Sequence, residues 1–279
     1  MTSTPTAIAY LGPEGTYAHL VARTRYGLDI QHVPMPSIPH VFEYVASNTD
    51  VLGIVPIENS SGGTIYETVD LLVSHAPHVA IREELAVNVK LALLGHDMNS
   101  INIIYSHFAP LNHCGAWLKE RFPGAELRET RSTAEAAIET SKNPSAAALG
   151  SRLLSELYPL RILEYPVMDD VVNVTHFFAL GRPATTPIPA TRTGLLVRLL
   201  NQPGSLCTFL EPFRERHVNL TRIVSRPIPR QPQTYVFFVE IEGSVLEEGK
   251  TKTVLAEASK AADTIHVLGS YPIVSAYDS

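Results

Sequence analysis

VLGIVPIENSSGGTIYETVDLLVSH, residues 51–75, decides how this chain is read. Its first six residues, VLGIVP (51–56), are apolar without a break, the mark of a strand covered on both faces. Its last twelve, TIYETVDLLVSH (64–75), bring apolar residues back at helical spacing. Between them the loop Ile57-Glu58-Asn59-Ser60-Ser61-Gly62-Gly63 packs a carboxylate, an amide, two hydroxyls and two glycines into one short run. Strand, polar loop and helix form half of a βαβ unit. In open α/β sheets ligands sit in the crevice beyond the carboxyl ends of the strands, which is where this loop lies.

The same order recurs on both sides. Further strands are expected at AIAYL (7–11), VNVKLALL (87–94), INIIYSH (101–107), AAALG (146–150) and NVTHFFALG (173–181). Helices fit between them at TYAHLVARTRYG (16–27), IPHVFEYVAS (38–47), PLNHCGAWLKERF (110–122) and TAEAAIETSK (133–142). The alternation predicts an α/β fold of parallel sheets covered by helices. From Gly181 the run GRPATTPIPATRTG is rich in Pro, Thr and Ala and suits an exposed linker, with a boundary near residue 190. Beyond it come strand GLLVRLL (194–200), helix SLCTFLEPFRERH (205–217), strands NLTRIVSR (219–226) and TYVFFVEIEG (234–243), helix LEEGKTKTVLAEASKAAD (246–263) and strand TIHVLGSYPIV (264–274). That β-α-β-β-α-β order is the pattern of a ferredoxin-like module. The expected division is therefore an α/β unit over 1–185, a linker over 186–192 and the module over 193–279.

Composition narrows the function. The 279 residues are 45% hydrophobic and 18% charged, ordinary for a globular protein. Lys plus Arg number 22 against 28 Asp plus Glu, a net charge of −6 with no basic block, so nucleic acid is a poor partner. The N-terminal MTSTPTAIAYLGPEG lacks a basic segment and a long apolar run, which speaks for a cytosolic protein with neither leader nor membrane span. Cys114 and Cys207 stand far apart without CxxC or Cys/His spacing, so neither a disulfide framework nor a zinc site is expected. There is no P-loop, metal triad or GxSxG elbow.

The strand ends are polar. Gly12-Pro13-Glu14-Gly15-Thr16-Tyr17 follows the first strand, where Thr16 can cap a helix whose free N–H groups favour an anion; taken alone, the motif favours the plain reading of a tight βα turn. Glu58 is either a general acid or base or a partner of the helix dipole. His107, at a strand end beside Ser106, is either a titrating group or a structural histidine. In NVTHFFALG, alternation puts Asn173, Thr175 and Phe177 on one face and His176 on the other. What remains is a cleft of hydroxyls, amides and helix N-termini, suited to a small dianion and to chemistry by positioning and hydrogen bonding.

LGPEGTYAHLVA (11–22), VPIENSSGGTIYETVDLL (55–72), SHFAPLNHCGAWL (106–118), NVTHFFALGR (173–182) and NLTRIVSRP (219–227) together resemble the prephenate dehydratase family along nearly the whole chain, with that family's ACT module behind. The resemblance implies two α/β lobes like a periplasmic binding protein, with the active site between them. It implies loss of the ring carboxylate as CO₂ and of the 4-hydroxyl of prephenate, giving phenylpyruvate on the way to phenylalanine, with no cofactor. The family's Thr-Arg-Phe motif maps its catalytic threonine onto Thr175, and Ser106, His107 and Glu58 join it as candidate catalytic groups. Thr16, Asn59, Ser60, Gly63, Ser132, Thr133, Asn173, His176 and Phe177 are the implied substrate-binding residues. For the ACT module the resemblance implies an amino-acid effector such as phenylalanine, held by Gly204, Ser205, Leu206, Asn219, Ser225 and Arg226, and a homodimer or homotetramer.

The chain departs from the family at several points. His176 replaces the arginine of Thr-Arg-Phe, exchanging a fixed charge for a titratable one and leaving a carboxylate anchor in question. Phe108-Ala109 replaces Pro-Gln after Ser106-His107, Gly204-Ser205-Leu206 replaces Gly-Ala-Leu, and Val224 replaces the glutamate of Glu-Ser-Arg-Pro. Two other readings are carried: a relative that decarboxylates prephenate without making it aromatic, and a sensor of amino or keto acids without catalysis.

Overall fold

A computed structural model describes residues 5–76, 78–168, 172–183, 189–228, 234–246 and 249–279. The first lobe holds β1 (Ala7–Leu11), α1 (Tyr17–Tyr26), β2 (Gln31–Met35), α2 (Ile38–Ser47), β3 (Val51–Asn59), the short β4 (Gly63–Thr64), α3 (Tyr66–His75) and β5 (Ala80–Asn88). The second lobe follows with β6 (Leu91–Gly95), β7 (Ile103–Ser106), α4 (Phe108–His113), α5 (Gly115–Arg121), β8 (Glu126–Glu129), α6 (Thr133–Ser141), β9 (Ala146–Gly150), α7 (Leu154–Leu157) and β10 (Arg161–Val167). The chain then returns to the first lobe as β11 (Val174–Gly181).

This return corrects the expectation of parallel sheets. β1 pairs in parallel with β2 and β3, but β11 runs antiparallel to both neighbours, β3 and β5. A strand that re-enters a sheet from the far lobe arrives from the opposite end. The second lobe's order, β10-β6-β9-β7-β8, is mixed for the same reason. VNVKLALL, read above as one strand, is two: β5 ends at Asn88, Val89 and Lys90 cross between lobes, and β6 starts at Leu91 in the other sheet. The long helix expected over 110–122 likewise breaks at Cys114 into α4 and α5.

The third unit comprises β12 (Arg192–Leu199), α8 (Ser205–Glu215), β13 (Leu220–Pro227), β14 (Tyr235–Glu242), α9 (Lys250–Ala258) and β15 (Ala262–Tyr271). Its strands form an antiparallel sheet in the order β13-β14-β12-β15. One face packs on α8 and α9 through Leu195, Val197, Val239 and Ile241 against Phe209, Phe213 and Val254. The other face, with Leu196, Val224, Val236, Phe238 and Leu268, shares one core with Ile81, Phe178 and Leu180 of the first lobe. Burying both faces explains the apolar runs of the two central strands, β12 and β14. Beyond β15 the chain joins the first sheet: the Glu84 amide donates to the Pro272 carbonyl at 3.0 Å, and β16 (Tyr277–Asp278) pairs with β5. The expected linker, 186–192, lies in part outside the described residues. No described helix is long and apolar enough to cross a membrane.

Candidate active site

The site begins with a bulge. Along β11, Thr175 pairs with Asn59 and His176 with Glu58, but the next residue, Phe177, pairs with Pro56, so Ile57 is the extra residue on β3. Val55 and Ile57 face the core shared with α2, α3 and the third unit. Strict alternation would send Asn59 to that side and Glu58 to the cleft. The extra residue reverses the order beyond it, a common use of bulges beside functional sites.

Asn59 therefore meets Thr175. Its Nδ2 donates to Thr175 Oγ1 and to Asn173 Oδ1, both at 2.8 Å. Its Oδ1 accepts from the amides of Ser61 and Gly62, each at 2.9 Å, which fixes which end of the side chain is oxygen. With an acceptor site of Thr175 filled by Asn59, the Thr175 proton is left to donate elsewhere.

These groups line a cavity of about 630 Å³ between the lobes, joined by Val89 of the crossover and Leu91 at the start of β6. The starts of α1 and α6 open onto it. Thr16 caps α1, accepting from the His19 amide at 3.3 Å and donating to the Leu11 carbonyl at 2.8 Å. Ser132 caps α6, accepting from the Glu135 amide at 3.1 Å. Helix starts offer unpaired N–H groups and the positive end of the dipole, so two of them facing one cavity suit an anion at each. Arg131 also lines it, with its guanidinium on Glu135 at 2.7 Å and its side chain open to solvent. His107 caps α4 at the cavity wall, and burial pushes its imidazole below the ordinary histidine value against a weaker pull from Glu129.

Of the residues expected from the sequence, the cavity thus gathers Thr16, Asn59, His107, Ser132, Thr133, Asn173 and Thr175. Others lie elsewhere. Ser106 is fully buried and donates to the Leu149 carbonyl at 2.8 Å, tying β7 to β9. Ser60 clamps the loop to β11: its amide donates to the Val174 carbonyl and its Oγ accepts from the Val174 amide at 2.9 Å. Gly63 turns the chain at φ 77° and is not among the cavity's lining residues. Phe177 shares the Thr175 side of β11 but sits in the core under α1. Glu58 and His176 leave the sheet on its far face, so position 176 offers no anchor to a carboxylate in the cleft. Arg131 and His113 line the cavity without having been singled out, and so does Phe108, noted above only as a departure from the family; only the Arg-Ser-Thr cap sequence hinted at the first.

The third unit's candidates are split. Gly204, Ser205 and Leu206 follow the end of β12, and Ser225 and Arg226 lie level with Val197 and Arg198 at that same end. Asn219, whose carbonyl accepts from the Glu242 amide, lies level with Arg192 at the other end, roughly 20 Å away at about 3.3 Å per residue. Arg226 also crosses to the first lobe, forking onto Asp70 at 2.6 and 2.7 Å and lying over the Tyr66 ring.

Behind the cavity the Gly15 turn is held by His19. The Gly15 amide donates to His19 Nδ1 at 3.0 Å, and the ring, 5% exposed, stacks on Tyr10 at 4.8 Å. Burial, helped by Arg23 and His32, lowers the His19 pKa from 6.5 to about 4. The folded state favours the neutral ring, so this contribution is complete above pH 6.5 and is lost as pH falls towards 4. The expected loss is about 3 kcal/mol. Urea unfolding at pH 7 and pH 4 should show it, and in His19→Phe the difference between the two pH values should shrink by that amount. An unchanged difference would remove His19 from the acid response.

Comparison with known proteins places the fold and the family. The prephenate dehydratase family matches residues 8–185 and the ACT domain matches residues 193–254. A curated prephenate dehydratase from Methanocaldococcus jannaschii is 33% identical over 279 residues, covering 96% of this chain and 98% of that one. A prephenate dehydratase from Arthrobacter aurescens, solved in complex with L-Phe, superposes with a TM-score of 0.86 at 28% identity, covering 95% of this chain and 89% of that one. A protein described as GqqA, a novel type of quorum-quenching acylase, also gives 0.86 at 27% identity, covering 96% and 98%. Matched over most of its length by one family and behind that by the other, the chain belongs to the prephenate dehydratase family and carries a C-terminal ACT domain.

Proposed function

We propose that the inter-lobe cleft converts prephenate to phenylpyruvate, CO₂ and water, with residues 1–185 as the catalytic domain. The observation that carries this is the hydrogen bond from Asn59 to Thr175, which leaves the threonine proton available to the cavity. Prephenate's two carboxylates fit the starts of α1 and α6, with Arg131 adding charge at the rim. As the ring carboxylate leaves as CO₂, its bonding electrons enter the ring and the C–O bond at the opposite carbon breaks. Thr175 donates a hydrogen bond to the departing oxygen, and a proton reaching it completes water. A hydroxyl is too weak an acid to be the free proton source, so its work is electrostatic. Aromatisation drives the reaction forward.

Acyl transfer is less well supported, since it needs an activated nucleophile. Thr16 and Ser132 are engaged as helix caps, and Thr175 faces an amide donor in place of a base. Purified protein given prephenate should yield a product that absorbs as an aromatic enol in alkali. Consumption of prephenate without that absorbance would assign the cleft to non-aromatising decarboxylation, and no consumption would leave a sensor. Two unpaired cysteines, Cys114 and Cys207, suit the reducing cytosol as the place of work.

For the ACT domain we propose an amino acid such as phenylalanine as effector, bound between two copies. The split of Gly204–Leu206 from Asn219 supports this, because a two-fold pairing can bring opposite ends of two sheets together. Light scattering at micromolar concentration should therefore give at least twice the mass of one chain. A single-chain mass would dismiss a shared effector site.

A further inference from the structure

Arg222, on β13 of the ACT domain, reaches into the first lobe. Its side chain is 9% exposed, and each arm of its guanidinium meets a carboxylate. Nε donates to Glu58 Oε2 at 2.8 Å, Nη2 to Glu84 Oε1 at 3.2 Å and Nη1 to Glu240 Oε2 at 2.6 Å, while the group lies 5.6 Å over the Phe178 ring. Glu58 and Glu84 belong to the catalytic sheet and Glu240 to the ACT sheet. Glu84 also faces His176 Nδ1 at 3.0 Å, and Glu240 takes the Tyr271 hydroxyl at 2.9 Å and the Thr221 hydroxyl at 2.6 Å, with Arg192 at 3.5 Å. Burial opposes the charge on Arg222, but Glu240, Glu84 and Glu58 outweigh it. A planar fork holding carboxylates this way is stiff.

The position of these contacts is what matters. Glu58 immediately precedes Asn59, His176 immediately follows Thr175, and the register pairs Glu58 with His176 just as it pairs Asn59 with Thr175. The guanidinium thus grips β3 directly from behind and reaches β11 only by way of Glu84, which faces His176, and of the Phe178 ring; the front of these two strands carries the hydrogen-bonded Asn59 and Thr175. It does so at the bulge, where one residue of slippage would turn Asn59 away from the cleft. β3 ends at Asn59, so little ladder lies beyond it to hold the register.

We infer that Arg222 is a positioning residue of the cleft: through Glu58 it holds the β3 bulge, and through Glu84 and His176 it holds β11, so that a side chain of the ACT domain sets the Asn59–Thr175 geometry by direct ion pairing. The same strand carries Ser225 and Arg226, so a shift of β13 reaches the catalytic pair without passing along the lobes. This rests on the functional reading given for Thr175.

Three variants test it in the full chain: Glu58→Ala, Glu58→Gln and Arg222→Lys. Glu58 is partly exposed, and its removal leaves Arg222 paired to Glu84 and Glu240, so the Glu58 variants should fold with melting temperatures close to wild type. Glu58→Ala should lower kcat for prephenate on the order of tenfold with KM nearly unchanged, the loss expected of one orienting charge-assisted bond. Glu58→Gln keeps an acceptor for Nε and should recover most of kcat; a general acid or base would not be rescued this way. Arg222→Lys keeps the charge and loses the fork, and should add little in the Glu58→Ala background. Hydrogen exchange at residues 57–62 and 172–177 should quicken in Glu58→Ala. Full kcat in Glu58→Ala, or a loss that Glu58→Gln does not relieve, overturns the inference. If the wild-type chain leaves prephenate untouched, the functional reading fails instead, and unchanged exchange in Glu58→Ala then overturns the positioning role by itself.

Discussion

Thr175→Val is expected to lower kcat for prephenate by about two to three orders of magnitude, the usual cost of one donor aimed at charge that develops in the transition state. KM should change little, because the proposed binding puts the carboxylates elsewhere, at the starts of α1 and α6 and at Arg131. Valine keeps the shape and the β-branched preference for the strand, so β11 and its pairing with β3 and β5 should survive. Asn59 loses one acceptor but keeps its bonds to Asn173, Ser61 and Gly62. Steady-state kinetics with an unchanged circular dichroism spectrum decide the matter. Near-normal turnover would take Thr175 out of the mechanism.

The opposing faces of Thr175 and His176 were legible from the period of a strand, and the structure keeps them so. Glu58 was not legible, because a bulge depends on how two strands meet and leaves no mark in VLGIVPIEN. The helix over 38–47 and the strands over 7–11 and 146–150 stand where their patterns put them. β2 and β8 were missed for physical reasons. QHVPM carries a proline and lies at the sheet edge, and ELRE is exposed throughout, so neither shows the apolar run of a covered strand. The crossing at Val89 and Lys90 is invisible for the opposite reason: apolar residues continue on both sides of it. Ser106 looked like a cleft hydroxyl at a strand end, yet its partner is a carbonyl 43 positions away. Arg222 lay within a quoted motif, and nothing local foretold that three carboxylates from three other strands would converge on it.

Gly269→Ala should be the most damaging single methyl in the seam between the ACT domain and the first lobe. Gly269 sits inside β15 with φ 148°, a region that side chains avoid, and an added Cβ would lie 2.4 Å from the Ile81 carbonyl oxygen. That oxygen cannot give way easily, since Ile81 is paired in β5 with Leu180 of β11 and its side chain is buried in the shared core. Strain and overpacking of this kind each cost about 1–3 kcal/mol, so a loss of roughly 3–5 kcal/mol is expected. The melting temperature should fall by roughly 6–15 °C for a chain of this size. Gly115→Ala is the control: it starts α5 with nothing within 4 Å of the added methyl and should melt within about 2 °C of wild type. The loss should reach the cleft as well. Tyr271 and Pro272, which tie Glu240 and Glu84 to this seam, follow Gly269 by two and three residues, so loosening β15 loosens the carboxylates that surround Arg222. Folded Gly269→Ala at low temperature should therefore turn over prephenate more slowly than its folded fraction alone explains. A melting curve superposable on wild type would mean that the ACT sheet and β5 stand further apart than 2.4 Å of clearance allows.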